Sequence, residues 1–148
     1  MGLLDRLFGD GRTRVGLFVD GPNVLRDEFD VDLDDLRAIA AEDGPLAITR
    51  LYLDEHATPK LIQAAEARGY DVVTTSGDVD VRMAVDATAA VADGAIDVLV
   101  VASRDADFKP VLEHAAREGA KTVAIAPGAY GRSDALRNAA QRAVTMEN

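Results

Sequence analysis

Five short, nearly unbroken apolar runs recur along the chain: VGLFV at 15 to 19, LAITRLYL at 46 to 53, DVVTT at 71 to 75, IDVLVVA at 96 to 102 and KTVAIA at 121 to 126. Apolar on successive positions and rich in β-branched residues, they predict strands buried on both faces of a parallel sheet. The segments between them carry apolar residues at helical spacing, which predicts helices over 32 to 42, 59 to 68, 80 to 93, 106 to 118 and 133 to 143. Strand and helix in strict alternation imply an α/β fold, a three-layer sandwich around a mostly parallel five-stranded central sheet.

Local chemistry agrees with this division. Thr58 and Pro59 form a capping hydroxyl followed by a first-turn proline, Ser133 stands where the last helix needs a cap, and Gly69 and Gly119 follow helices where a left-handed residue closes the turn. The chain shows no repeat, low-complexity tract or interdomain linker. Residues 14 to 148 therefore read as one domain, and 1 to 13 as a flexible N-terminal segment whose few apolar residues are too short a stretch for a stable helix.

Composition narrows the chemistry. The absence of cysteine excludes disulfides and thiolate metal sites, and His56 and His114 are too few for a histidine-rich zinc site, so any metal must be held by oxygen. No apolar run reaches the roughly 20 residues needed to span a bilayer, and the N-terminus lacks the pattern of a signal peptide, which predicts a cytoplasmic protein without membrane association. The net charge of -10 arises from 19 Asp and 7 Glu against 13 Arg and 3 Lys. Such acidity suits a high-salt cytoplasm and argues against gripping nucleic acid by bulk positive charge, although metal ions can bridge an acidic protein to phosphate. Oligomeric state is not legible, and a homo-oligomer stays open.

In sheets of this type ligands bind beyond the carboxyl ends of the strands. Asp20 ends the first strand with Asn23 three residues on, and Asp105 and Asp107 follow the fourth. If those strands adjoin, these groups share a crevice. Each also has a plainer role: Asp-Gly-Pro-Asn makes a good turn, and Asp105 and Asp107 suit a helix start. Asp80 has the makings of an N-cap. Asp86 lies within an apolar helix where aspartate is a poor former; either a pair with Arg82 or entry into the crevice explains it. Six helical residues separate Asp80 from Asp86 by about 120° around the axis, so both cannot be equal ligands, and Asp86 is the favoured one.

Taken in order, FVDGPNVL with Asp20 and Asn23, DVDVRMAVDA with Asp80 and Asp86, and SRDADF with Asp105, Asp107 and Phe108 resemble the NYN domain family, a branch of the PIN-like nucleases, over residues 14 to 143. Two positions depart from the family pattern: Arg104 replaces a usual glycine, and SGDVDV lacks the lysine common before the VD pair. The resemblance implies a PIN-like fold and a metal-dependent endoribonuclease acting on RNA, expected to be single-stranded. It makes Asp20, Asn23, Asp86, Asp105 and Asp107 the catalytic set and the four aspartates among them the ligands of Mg²⁺ or Mn²⁺, hard ions that take oxygen donors. Asp80 is a further candidate. Substrate contacts are expected from Arg104, Lys109, Tyr130, Arg132 and Ser133, while His56 reads as a surface histidine. The competing readings are a non-catalytic RNA-binding or regulatory module and a phosphoacceptor signalling domain. The latter wants a lysine ending the fifth strand, whereas Lys121 begins it.

Overall fold

A computed structural model describes residues 13 to 26, 30 to 129 and 133 to 146. The expected N-terminal segment lies outside the described residues, save Thr13.

All five expected strands form: β1 (Val15–Asp20), β2 (Leu46–Asp54), β3 (Asp71–Thr75), β4 (Val98–Ala102) and β5 (Lys121–Ala126). A sixth, β6 (Arg142–Thr145), pairs with β5. The five-stranded expectation is therefore corrected to a six-stranded sheet, ordered β3-β2-β1-β4-β5-β6, with every pair parallel. The helix expected over 133 to 143 ends early at Ala139, and the chain turns back onto the sheet edge. Val144 of β6 and Met146 just beyond it pack on one face of the sheet, which outweighs the helical spacing of the preceding alanines.

Among the described residues six α-helices connect the strands: α1 (Gly21–Val24), α2 (Leu33–Ala41), α3 (Pro59–Ala67), α4 (Val79–Ala92), α5 (Lys109–Arg117) and α6 (Asp134–Ala139). Thr58 and Ser133 accept bonds from the backbone N–H of Leu61 and Leu136, as their cap positions require. Alternation along the central strands builds two cores. Val15, Leu17 and Val19 of β1 join Leu36 and Ala65 on the face covered by α2 and α3. Phe18 joins Met83, Leu112 and Leu136 on the face covered by α4, α5 and α6. This is the three-layer sandwich expected from the sequence.

The chain winds outward from β1 to β3, then returns across the sheet to start again at β4, on the other side of β1. Loops leaving β1 and β4 diverge to opposite faces and leave a crevice at their carboxyl ends. Topology alone thus brings the end of β1 beside the start of the Asp105 loop.

Candidate functional site

Asp20, the last residue of β1, is only 2% exposed. The next residue must be small, because a Cβ on Gly21 would lie 2.4 Å from the Tyr52 carbonyl oxygen; the glycine lets α1 turn tightly over β2. That turn aims Asn23 back at Asp20, donating from Nδ2 to Oδ2 across 2.6 Å. Ser103, just past β4, donates to the same oxygen at 3.1 Å and accepts the Asp105 backbone N–H at 3.0 Å. Ser103 is therefore the bridge that ties the β1 and β4 loops together. Asp105 in turn accepts the Asp107 N–H at 2.9 Å, so it does cap the 3₁₀ turn Ala106–Phe108 that precedes α5.

Asp80 enters from the third side. The turn before α4 takes two left-handed residues, Gly77 and Asp78, and the helix begins at Val79. Asp80 is thus not the N-cap expected from sequence. It stands in the first turn and accepts the N–H of Val81. One carboxylate oxygen from each of Asp80, Asp105 and Asp107 lies within 4.8 Å of the other two. Asp20, Asn23, Asp80 and Asp105 line one crevice of about 310 Å³, together with Pro22, Asp54, Gly77, Asp78 and Val79.

Crowded carboxylates in a half-closed crevice should resist ionisation, and Asp20 does. Burial raises its pKa above the ordinary 3.8 and repulsion from Asp105 and Asp80 adds to the rise, while the Asn23 and Ser103 hydrogen bonds oppose it. A bound divalent cation would relieve this repulsion. Oxygens on opposite sides of Mg²⁺ stand roughly 4.2 Å apart, close to the spread of the Asp80, Asp105 and Asp107 oxygens, so the donor set fits a hard cation.

Asp86 does not come to this crevice. Its six residues from Asp80 carry it about 9 Å down α4, away from the carboxyl ends of the strands. There it accepts the Tyr52 hydroxyl at 2.8 Å, pairs with Arg82 at 3.1 Å and lies 3.9 Å from Arg50. The expectation that favoured Asp86 over Asp80 is reversed in the geometry: the i, i+4 pair with Arg82 explains the half-buried Asp86, and Asp80 holds the crevice position.

The remaining candidates divide. Arg104 is half-buried between Ser103 and Asp105, and Lys109 is exposed at the start of α5. Ser133 spends its hydroxyl oxygen on capping α6. Tyr130 and Arg132 lie outside the described residues. His56 is exposed, as expected, and lines a groove next to the crevice. Sequence reasoning missed Ser103, Asp54 and Asp78. Asp54 ends β2 just as Asp20 ends β1, so the same strand-end rule would have found it.

An uncharacterized protein of Methanocaldococcus jannaschii is 43% identical over 137 residues, which is 92% of this chain and 56% of that relative, so the chain spans little more than half its length. A crystal structure of a protein of unknown function from Vibrio parahaemolyticus matches the fold with a TM-score of 0.80 at 20% identity, over 94% of this chain and 96% of that one. The NYN domain model matches residues 14–147. With nearly its whole length matched and an acidic group at the sheet's switch point, the chain belongs to the NYN domain family, within the PIN-like nuclease superfamily.

Proposed function

We propose that the chain is a metal-dependent endoribonuclease that hydrolyses phosphodiester bonds of single-stranded RNA at the carboxylate crevice. The observation that carries this reading is the convergence of Asp80, Asp105 and Asp107 oxygens beside the buried Asp20 at the point where the sheet reverses its winding. Asp20, Asp80, Asp105 and Asp107 would hold Mg²⁺ or Mn²⁺. Such an ion, when bound, supplies an activated water and offsets the charge that builds on the phosphate during in-line displacement.

The chain's own residues prepare the site. Asn23 and Ser103 both donate to Oδ2 of Asp20, which fixes the carboxylate plane and leaves Oδ1 as the unengaged oxygen among the described residues. Ser103 transmits the same constraint to the Asp105 backbone. Five carboxylates, Asp20, Asp54, Asp78, Asp80 and Asp105, make the crevice repel a bare phosphate, so substrate binding waits on the cation. Lys109 and Arg104, flanking the acidic loop, are placed for secondary phosphate contacts, with Tyr130, Arg132 and Ser133 retained as candidates for the same task. Asp86 serves as a structural anchor for α4 rather than as a ligand.

The test is cleavage of a labelled single-stranded RNA in Mn²⁺ or Mg²⁺. Turnover that chelation abolishes, and that Asp80→Asn and Asp105→Asn each remove, is the expected result. Absence of cleavage across metals and salt would favour a non-catalytic RNA-binding module.

A further inference from the structure

We propose that the RNA is gripped chiefly by its bases, which seat in two apolar grooves on either side of the acidic crevice. This rests on the nuclease reading above and names how that site takes its substrate.

The first groove, about 230 Å³, is lined by Asp80, Val81, Ala84, Val85, Asp107 and Phe108. It shares Asp80 with the crevice and Asp107 with the carboxylate cluster, so the two depressions adjoin. Val81 and Val85 are 57% and 60% exposed, the large hydrophobic side chains left open among the described residues. Spaced at i and i+4, they form one strip on α4. The core does not need them: Val79, Met83, Ala87, Ala90 and Val91 already bury the other side of that helix. The second groove, about 180 Å³, opens toward the opposite layer and includes Leu25, Leu53, Ala57 and Leu61. It shares Pro22 and Asp54 with the crevice. A strand laid across the carboxyl edge of the sheet therefore meets an apolar surface, then carboxylates, then a second apolar surface.

Charge decides what fits this sequence of surfaces. No described residue lining any of the three depressions is a lysine or arginine, and the chain carries a net charge of -10. Affinity from phosphate neutralisation, the usual source for nucleic-acid binders, is therefore limited to the phosphate at the cation and to those within reach of Arg104 and Lys109, the two cations flanking the acidic loop. The flanking grooves suit the uncharged faces of bases. In a duplex those faces are consumed by stacking, so only an unpaired strand can present them.

The experiment measures binding and cleavage of a short labelled single-stranded RNA by the full chain in Mn²⁺, with a salt series, an abasic strand of equal length and the double variant Val81→Ser/Val85→Ser. Both valines are exposed, so folding is retained. Expected are a shallow salt dependence, with a log–log slope no steeper than about -1.4, equivalent to two phosphates; a loss of affinity for the abasic strand of about tenfold or more; and a rise in KM of about tenfold for the double variant with little change in kcat. Wild-type cleavage accompanied by a steep slope, or by an unaltered KM in the variant and equal binding of the abasic strand, overturns this proposal while leaving the nuclease reading intact. Loss of a dimer in the double variant, seen by sedimentation, overturns it in favour of a second copy of the chain on α4. A wild-type chain that neither binds nor cleaves any RNA overturns both.

Discussion

Tyr52 donates its hydroxyl to Asp86 across 2.8 Å, pinning α4 to the carboxyl-terminal part of β2 six residues along the helix from Asp80, which α4 contributes to the crevice. Tyr52 is fully buried and stacks against Phe18 of β1 with ring centres 6.3 Å apart. Burial and the adjacent Asp86 carboxylate push its phenol far above the ordinary value of 10.0, so it stays a neutral donor across the working pH range. Asp86→Ala leaves a buried hydroxyl without its acceptor and is expected to cost about 1–3 kcal/mol, whereas Tyr52→Phe should cost about 1 kcal/mol. Urea unfolding of the two variants checks the order. Equal stability of wild type and Asp86→Ala would show that the pair holds nothing.

The same geometry separates two aspartates on one helix. Asp80→Asn is expected to lower RNA turnover and Mn²⁺ affinity beyond the roughly 10–100-fold typical of outer-shell partners, and Asp86→Asn by less than about tenfold. Metal titration by calorimetry, alongside turnover, distinguishes them. The reverse order would return Asp86 to the metal site.

How much of this was legible in the chain is seen best on α4. Helical spacing turns Asp80 and Asp86 about 120° apart but does not say which of them faces the crevice. Position does: a helix that follows a parallel strand starts at the strand's carboxyl end, so its first turn lies nearest the site and each later turn moves away by about 5.4 Å. The central strands were read correctly because burial on both faces leaves an unbroken apolar signal. Edge strand β6, four residues long with no buried position, leaves no such signal. Ser103 was invisible for another reason: a serine becomes a bridge only when Asp20, 83 residues away, is folded against it.

Asp20 should make stability fall as pH rises. Its folded pKa is raised, so the native state binds the proton more tightly than the unfolded chain. The stabilising effect is full below the ordinary value of 3.8 and is lost as pH climbs through the raised value. Asp20→Asn, lacking this penalty, should therefore be more stable than wild type above that window, by about 0.5–2 kcal/mol in metal-free buffer. Thermal melts of both proteins across pH check it. A variant less stable than wild type at neutral pH would assign Asp20 a purely structural role.

Asp43 should behave oppositely, at the far end of the sheet. Burial works to raise its pKa, but the hydrogen bonds and charges of Lys121 and Arg142 prevail and hold it below the ordinary value of 3.8. Its carboxylate is 6% exposed and receives Lys121 at 2.7 Å, which ties the start of β5 to the loop after α2. The contribution is present above the ordinary carboxylate pKa and lost as pH falls through the lowered one. Because Lys121 and Arg142 are themselves 47% and 30% exposed, screening limits the effect, and Asp43→Ala is expected to cost about 1–2 kcal/mol at neutral pH. The gap between variant and wild type should shrink in acid, and a gap that widens there would contradict the pairing.

Anomalous diffraction from crystals soaked in Mn²⁺ tests the central claim most directly, because it locates the cation rather than inferring it from activity. The account predicts a peak bounded by the carboxylates of Asp20, Asp80, Asp105 and Asp107, lost in Asp80→Asn crystals soaked the same way. A peak at Asp86, or an empty crevice in crystals whose other sites take up Mn²⁺, would contradict it.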